Sequence, residues 1–174
     1  MNIYKLTLLA LLAALGVAGR SFLGFIPNVQ PVTSLIIICG FLLGPMSAVM
    51  LSVLITLASN LLLGSGIWTI WQIISWSLIG LASGLLGKYI YRMRLYMIAI
   101  FSVFCGYFYG FLISLTMYRI SGDFFLAYYF SGLPFDTYHA LGNAIFIFLL
   151  FPILSKFIRK YAANRFDIQH IKVK

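Results

Sequence analysis

Asp136, His139 and Asn143 are the residues of this chain best placed to do chemistry together. They are three hydrogen-bonding side chains in LPFDTYHALGNAIFIF, residues 133–148, a stretch that is otherwise largely apolar. At about 100° per residue they fall within about 60° of one another and form one polar stripe on a helix. Polar groups that face lipid are costly, so such a stripe belongs against an interior pocket, a candidate ligand site. An enzymatic arrangement would use His139 as base with Asp136 orienting it, since i, i+3 spacing permits contact. Other readings stay open for both. Asp136 follows Pro134 and is placed to stabilise the free amides of a first helical turn by about 0.5–2 kcal/mol. His139 also reads as a structural histidine satisfied within the fold. Asn143, deeper and without a capping role, is the stronger ligand candidate.

The rest of the chain offers little for catalysis. It has no Glu and only Asp123, Asp136 and Asp167, so paired carboxylates are missing from any single span. No Ser or Cys occurs in an activated context such as a nucleophile elbow. Cys39 and Cys105 lie deep in apolar segments, there is no CxxC pair, and the only histidines are His139 and His170. Neither a zinc site nor a disulfide framework is indicated, and the cysteines read as core filler. No metal and no cofactor is expected.

Composition names the kind of element that must hold the stripe. With 63% hydrophobic residues, 9% charged residues and a mean hydropathy of +1.04 over 174 residues, the chain is far from a soluble domain at about 25% charged. It reads as an all-α integral membrane protein. A span needs about 20 apolar residues, which leaves room for about six. The expected architecture is a single domain over 1–174, a six-transmembrane-helix bundle with spans near 3–19, 32–43, 46–63, 68–87, 97–117 and 135–157.

Met1 to Gly19 has the Lys5, apolar run and small-residue end of a secretory signal, but its run is one of several alike, which favours a first span. Within it Ala10, Ala14 and Ala18 make a small-residue stripe at i, i+4, i+8, suited either to a partner helix or to packing within the bundle. In RSFLGFIPNVQP, residues 20–31, Gly24, Pro27 and Pro31 forbid a continuous helix and predict an ordered loop. The 32–43 helix is too short to cross alone, at about 18 Å, and is expected to lean on protein. Gly44 and Pro45 then supply a helix stop and a helix start in adjacent positions. In LGSGIWTIWQIISW, Trp68 and Trp71 are belt residues or ligand contacts. Gln72, on one face with Trp68, Ser75 and Trp76, is a helix-to-helix hydrogen bonder or a ligand contact. Gly80 and Gly84 read as close packing, residues 118–134 as the longest connection, and Pro152 as a bend in the last span.

A formal charge of +9 could suggest nucleic acid, but no aromatic-interleaved basic strip is present and the charges sit between apolar runs. With both termini cytoplasmic, ten of the twelve basic residues lie inside: Lys5, Lys88, Arg92, Arg94, Lys156, Arg159, Lys160, Arg165, Lys172 and Lys174. Only Arg20 and Arg119 lie outside, as the positive-inside rule favours. That orientation gathers Arg20, Asn28, Gln30 and Asn60 with Trp68, Gln72, Arg119 and Asp123 in the outer half, beside the 136–143 stripe. Convergent polar groups between aromatic walls suit a small molecule. Nothing in the chain powers transport, since it lacks both a phosphate loop and a mid-span carboxylate chain. A binding bundle of this kind needs an energised partner.

Taken together, the AxxxA steps Ala10 to Ala14 and Ala14 to Ala18, with GRSFLGFIPNVQPVT, LGSGIWTIWQ and LPFDTYHALGNAIF, resemble the substrate-binding S components of energy-coupling factor (ECF) vitamin transporters. Among these the cobalamin-specific S components are the nearest in kind, while folate, pantothenate or queuosine would fit the same scaffold. The resemblance implies six helices, outer loops closing over a vitamin, and no catalytic activity. It further implies a complex with a transmembrane coupling subunit and two cytoplasmic ABC ATPases, in a bacterial cell membrane. It assigns docking to Ala10, Ala14 and Ala18. By location it assigns ligand contact to Arg20, Asn28, Gln30, Asn60, Trp68, Gln72, Arg119, Asp136, His139 and Asn143.

Overall fold

A computed structural model describes residues 2–162, 165, 166 and 168, and leaves out the side chains of 90–92. Lys172, Lys174, His170 and Asp167 lie outside the described residues, and so does the Arg92 side chain. Among the described residues there are six α-helices: α1 (Ile3–Phe22), α2 (Val32–Leu43), α3 (Pro45–Leu63), α4 (Trp68–Leu86), α5 (Leu95–Ser121) and α6 (Phe125–Ala162). A 3₁₀ turn over Gly87–Arg92 follows α4. Five of the helices are long and apolar enough to cross a membrane, and α2 is not.

The short helix is the axis of the bundle. All twelve residues of α2 are buried, as expected of a segment that leans on protein. Gly44 ends it at φ 92°, a value that glycine tolerates without strain, and Pro45 opens α3 at once. The approach of α2 to α4 is backbone to backbone. A Cβ on Gly40 would stand 2.9 Å from the Gly84 nitrogen and 3.0 Å from the Gly80 carbonyl oxygen. Gly80 and Gly84 are therefore the close-packing residues their spacing suggested.

α1 begins at Asn2, whose side chain accepts from the Tyr4 amide at 3.0 Å. It buries Leu8, Leu9, Leu12, Ala13 and Gly16, whereas Ala10, Ala14 and Ala18 are exposed on another face. Packing within the bundle is thus not what the alanine stripe does. Asn2 Nδ2 also donates to the Arg165 carbonyl at 2.7 Å, which brings the two ends of the described chain together on one side.

The 118–134 segment departs from expectation. It is helical apart from a turn at 122–124, where Gly122 ends α5 in the left-handed region at φ 80°. Asp136 is therefore deep inside α6, and the first-turn capping role falls away. An interior proline costs about 3 kcal/mol, yet α6 runs through both Pro134 and Pro152. Around Pro134 aromatic side chains offset that cost. Phe125 stacks on Tyr129 at 5.9 Å, Phe111 meets both edge-on, and Tyr118 meets Phe125 at 5.5 Å. At about 0.5–1.5 kcal/mol per aromatic pair these four contacts are of the same size as the proline penalty.

Candidate functional site

Arg20, in the last turn of α1, opens a polar network inside the end of the bundle that carries the α1–α2, α3–α4 and α5–α6 turns. Its Nη1 donates to Ser59 Oγ at 2.5 Å and to Asn60 Oδ1 at 3.0 Å. Asn60 Nδ2 donates in turn to Thr69 Oγ1 at 2.9 Å and Gln72 Oε1 at 2.8 Å. Aromatic rings close the other side. The guanidinium lies 5.4 Å from the Trp76 ring centroid, Trp76 stacks on Tyr109 at 5.0 Å, and Tyr109 meets His139 at 5.3 Å. Hydrogen bonds and the ring face together offset the cost of holding a guanidinium within a span.

His139 is fixed by a relay whose direction follows from donor chemistry. Its Nδ1 faces the Asn28 carbonyl oxygen at 3.0 Å, which can only accept, so Nδ1 carries the proton. Nε2 of the neutral ring must then accept, and Thr33 Oγ1 stands 3.0 Å away to donate. The same hydroxyl accepts from Trp76 Nε1 at 2.9 Å. Both ring nitrogens are thus engaged at 1% exposure, so His139 is a satisfied structural histidine. The pairing of His139 with Asp136 that a general base would require is replaced by these bonds.

Above this floor lies a cavity of about 430 Å³. It draws Asn28 from the α1–α2 loop, Trp68 and Gln72 from α4, Tyr109 from α5, and Phe135 and Asp136 from α6. Asp136 is 6% exposed, and its Oδ2 has no hydrogen-bond partner. Its carboxylate rests against α5 because residue 110 is glycine, and a Cβ there would overlap it. One turn further, Gly106 admits Ala140 in the same way.

The sequence-predicted residues therefore divide. Asn28, Trp68, Gln72 and Asp136 line the cavity, while Arg20, Asn60 and His139 build the network beneath its walls. Asn143 is fully buried deeper down, with Nδ2 toward the Ser102 carbonyl at 3.4 Å and Oδ1 unpartnered. Gln30 is half-buried in the loop, outside the cavity lining. Arg119 is exposed at the end of α5, with Nε donating to Tyr118 Oη at 3.1 Å. Tyr109, Ser114, Tyr128 and Ser131, which the sequence did not single out, also line the cavity. The glycines of GYFYG that flank Tyr109 were the available signal, since they mark the α5 face that α6 approaches.

No curated protein and no solved structure matches the chain. A family model does, the ECF transporter substrate-specific component, over residues 4–163. That span takes in all but the first residue of α1 and runs through the end of α6, so the helices, the polar network and the cavity all fall within it. The chain belongs to the family of ECF transporter substrate-specific components.

Proposed function

We propose that this protein captures a vitamin from the outer face of a bacterial membrane and delivers it through an energising module, a transmembrane coupling subunit with two ABC ATPases. The observation that carries this reading is the cavity, where an orphan carboxylate and aromatic walls from three helices converge on one small-molecule-sized space. Its orientation is supported by charge. The basic turn around Lys88 and Arg94, together with Arg159 and Lys160, lies at the opposite end of the bundle, which supports the reading with both termini in the cytoplasm and the cavity mouth outside. The exposed Ala10, Ala14 and Ala18 supply a close-approach face for the coupling subunit.

The resemblance of the 19–33, 63–72 and 133–146 stretches favours cobalamin as the vitamin. A second reading has its own observation. A corrinoid is several times larger than a cavity of about 430 Å³, which favours a smaller ligand such as folate, pantothenate or queuosine. A membrane enzyme using Asp136 and His139 has less support, because the imidazole has no free nitrogen.

Purification from native membranes under conditions that keep complexes intact tests this directly. The coupling subunit and ATPases should copurify, and mass spectrometry of the extracted ligand should identify a vitamin, with a red preparation marking cobalamin. Recovery of the protein alone, with neither subunits nor ligand, would overturn the reading.

A further inference from the structure

We propose that the cavity takes an organic cation, whose positive charge pairs with the Asp136 carboxylate while aromatic side chains cover its faces. This deepens the S-component reading, rests on it, and takes its smaller-ligand branch.

The argument begins with what Asp136 lacks. It is more than nine-tenths buried, it lines the cavity, and Oδ2 accepts from no donor. A buried carboxylate without a partner is among the most expensive groups a fold can hold, so a folded chain that keeps one leaves its partner to be supplied from elsewhere. The bundle does not supply it. The cation of the neighbouring network, Arg20, is spent on Ser59, Asn60 and the Trp76 face. Gly110, against which the carboxylate packs, has no side chain with which to pair it. The missing positive partner therefore arrives with the ligand.

The remaining wall fits the same chemistry. Trp68, Tyr109, Tyr128 and Phe135 bring four aromatic rings to a cavity whose one acidic group is Asp136 among the described residues. Ring faces attract cations, and several around one carboxylate make a site for a flat or compact organic cation. Gln72 and Ser114 add neutral hydrogen-bonding groups that set orientation. An anionic ligand such as pantothenate or folate would bring its carboxylates to a site with no free cation in its lining and one anion already there.

The test uses the full-length protein in lipid nanodiscs and calorimetry with five probes. Two are cations, queuine with its protonated secondary amine and thiamin with its thiazolium. Three are not, namely pantothenate, folate and cyanocobalamin. The wild type should bind at least one cation in preference to both anions, and Asp136→Asn should weaken that binding about 10- to 100-fold. Asp136→Glu, which keeps the charge, should retain more of it. The wild-type preference needs no variant, so it decides the matter even if Asp136→Asn fails to fold. Binding of neither cation, or cation binding unchanged in Asp136→Asn, overturns the inference. Capture of pantothenate, folate or cyanocobalamin instead would do so while upholding the S-component reading, which falls only if assembly with the coupling module is absent as well.

Discussion

Replacing Thr33 by Val isolates the relay that holds the cavity floor, because valine keeps the shape of threonine and removes only its hydroxyl. Two groups then lose their partner at once, Trp76 Nε1–H and His139 Nε2, bonded at 2.9 and 3.0 Å. Neither can turn to water, since Trp76 is fully buried and His139 is 1% exposed. Neither can turn elsewhere in the bundle, because the indole is clamped between Tyr109 and Arg20 and the imidazole is tied to the Asn28 carbonyl. An orphaned buried group costs about 1–3 kcal/mol in soluble proteins. Within membranes the measured average per hydrogen bond is nearer 0.6 kcal/mol, because the unfolded state also finds partners. Two orphans with no alternative partner place the expected loss at about 2 kcal/mol. Reversible unfolding in mixed micelles, titrated with a denaturing detergent, measures it. Adding Trp76→Phe removes one of the two orphans, so the double variant should lose about 1 kcal/mol less than the sum of the single changes. A loss below about 0.5 kcal/mol with additive single variants would show that the relay does not hold the floor together.

Three further outcomes follow from particular contacts. Ala14→Trp should block copurification with the coupling subunit, because it adds bulk at the centre of the exposed stripe, yet leave ligand affinity within about twofold, as for other surface changes. Lost ligand binding with an intact complex would mean that the two faces were assigned the wrong way round. Gly40→Ala should lower unfolding stability by about 1–3 kcal/mol, since its Cβ meets the backbone of α4 and one helix must move. Gly110→Ala should lower the unfolding temperature in detergent, because about 1–3 kcal/mol of overlap with the Asp136 carboxylate exceeds the roughly 1 kcal/mol of helix propensity that alanine brings; a raised temperature would refute the packing described there.

Helices bounded by backbone chemistry were the most legible part of the fold. Pro31, Gly44 and Pro45 act through their own dihedral limits, so α2 could be read as residues 32–43 and is Val32–Leu43. The 118–134 segment was not legible in the same way. What carries the helix through Pro134 is stacking between Phe111, Tyr118, Phe125 and Tyr129, which lie on two different helices, and no local pattern encodes that meeting. Periodicity identified the face of the 136–143 stripe correctly, and all three side chains are buried. It could not give their depth or their partners. One turn apart, Asp136 opens on the cavity, His139 is bound up with Thr33 and Asn28, and Asn143 lies below both.

The wholly buried α2 has a consequence for how this protein is made. Its two leading hydroxyls find their partners in α6, which is made long after it: Thr33 pairs with His139, 106 residues later, and Ser34 donates to the Asn143 carbonyl, 109 residues later. Until then a nascent chain that has inserted α1 to α5, with the Trp76 indole already donating to Thr33, holds those hydroxyls beside a vacancy where α6 belongs. Lipid has neither donors nor acceptors to offer them. The half-made bundle therefore bares polar groups that the assembled one hides, and docking of α6 covers them.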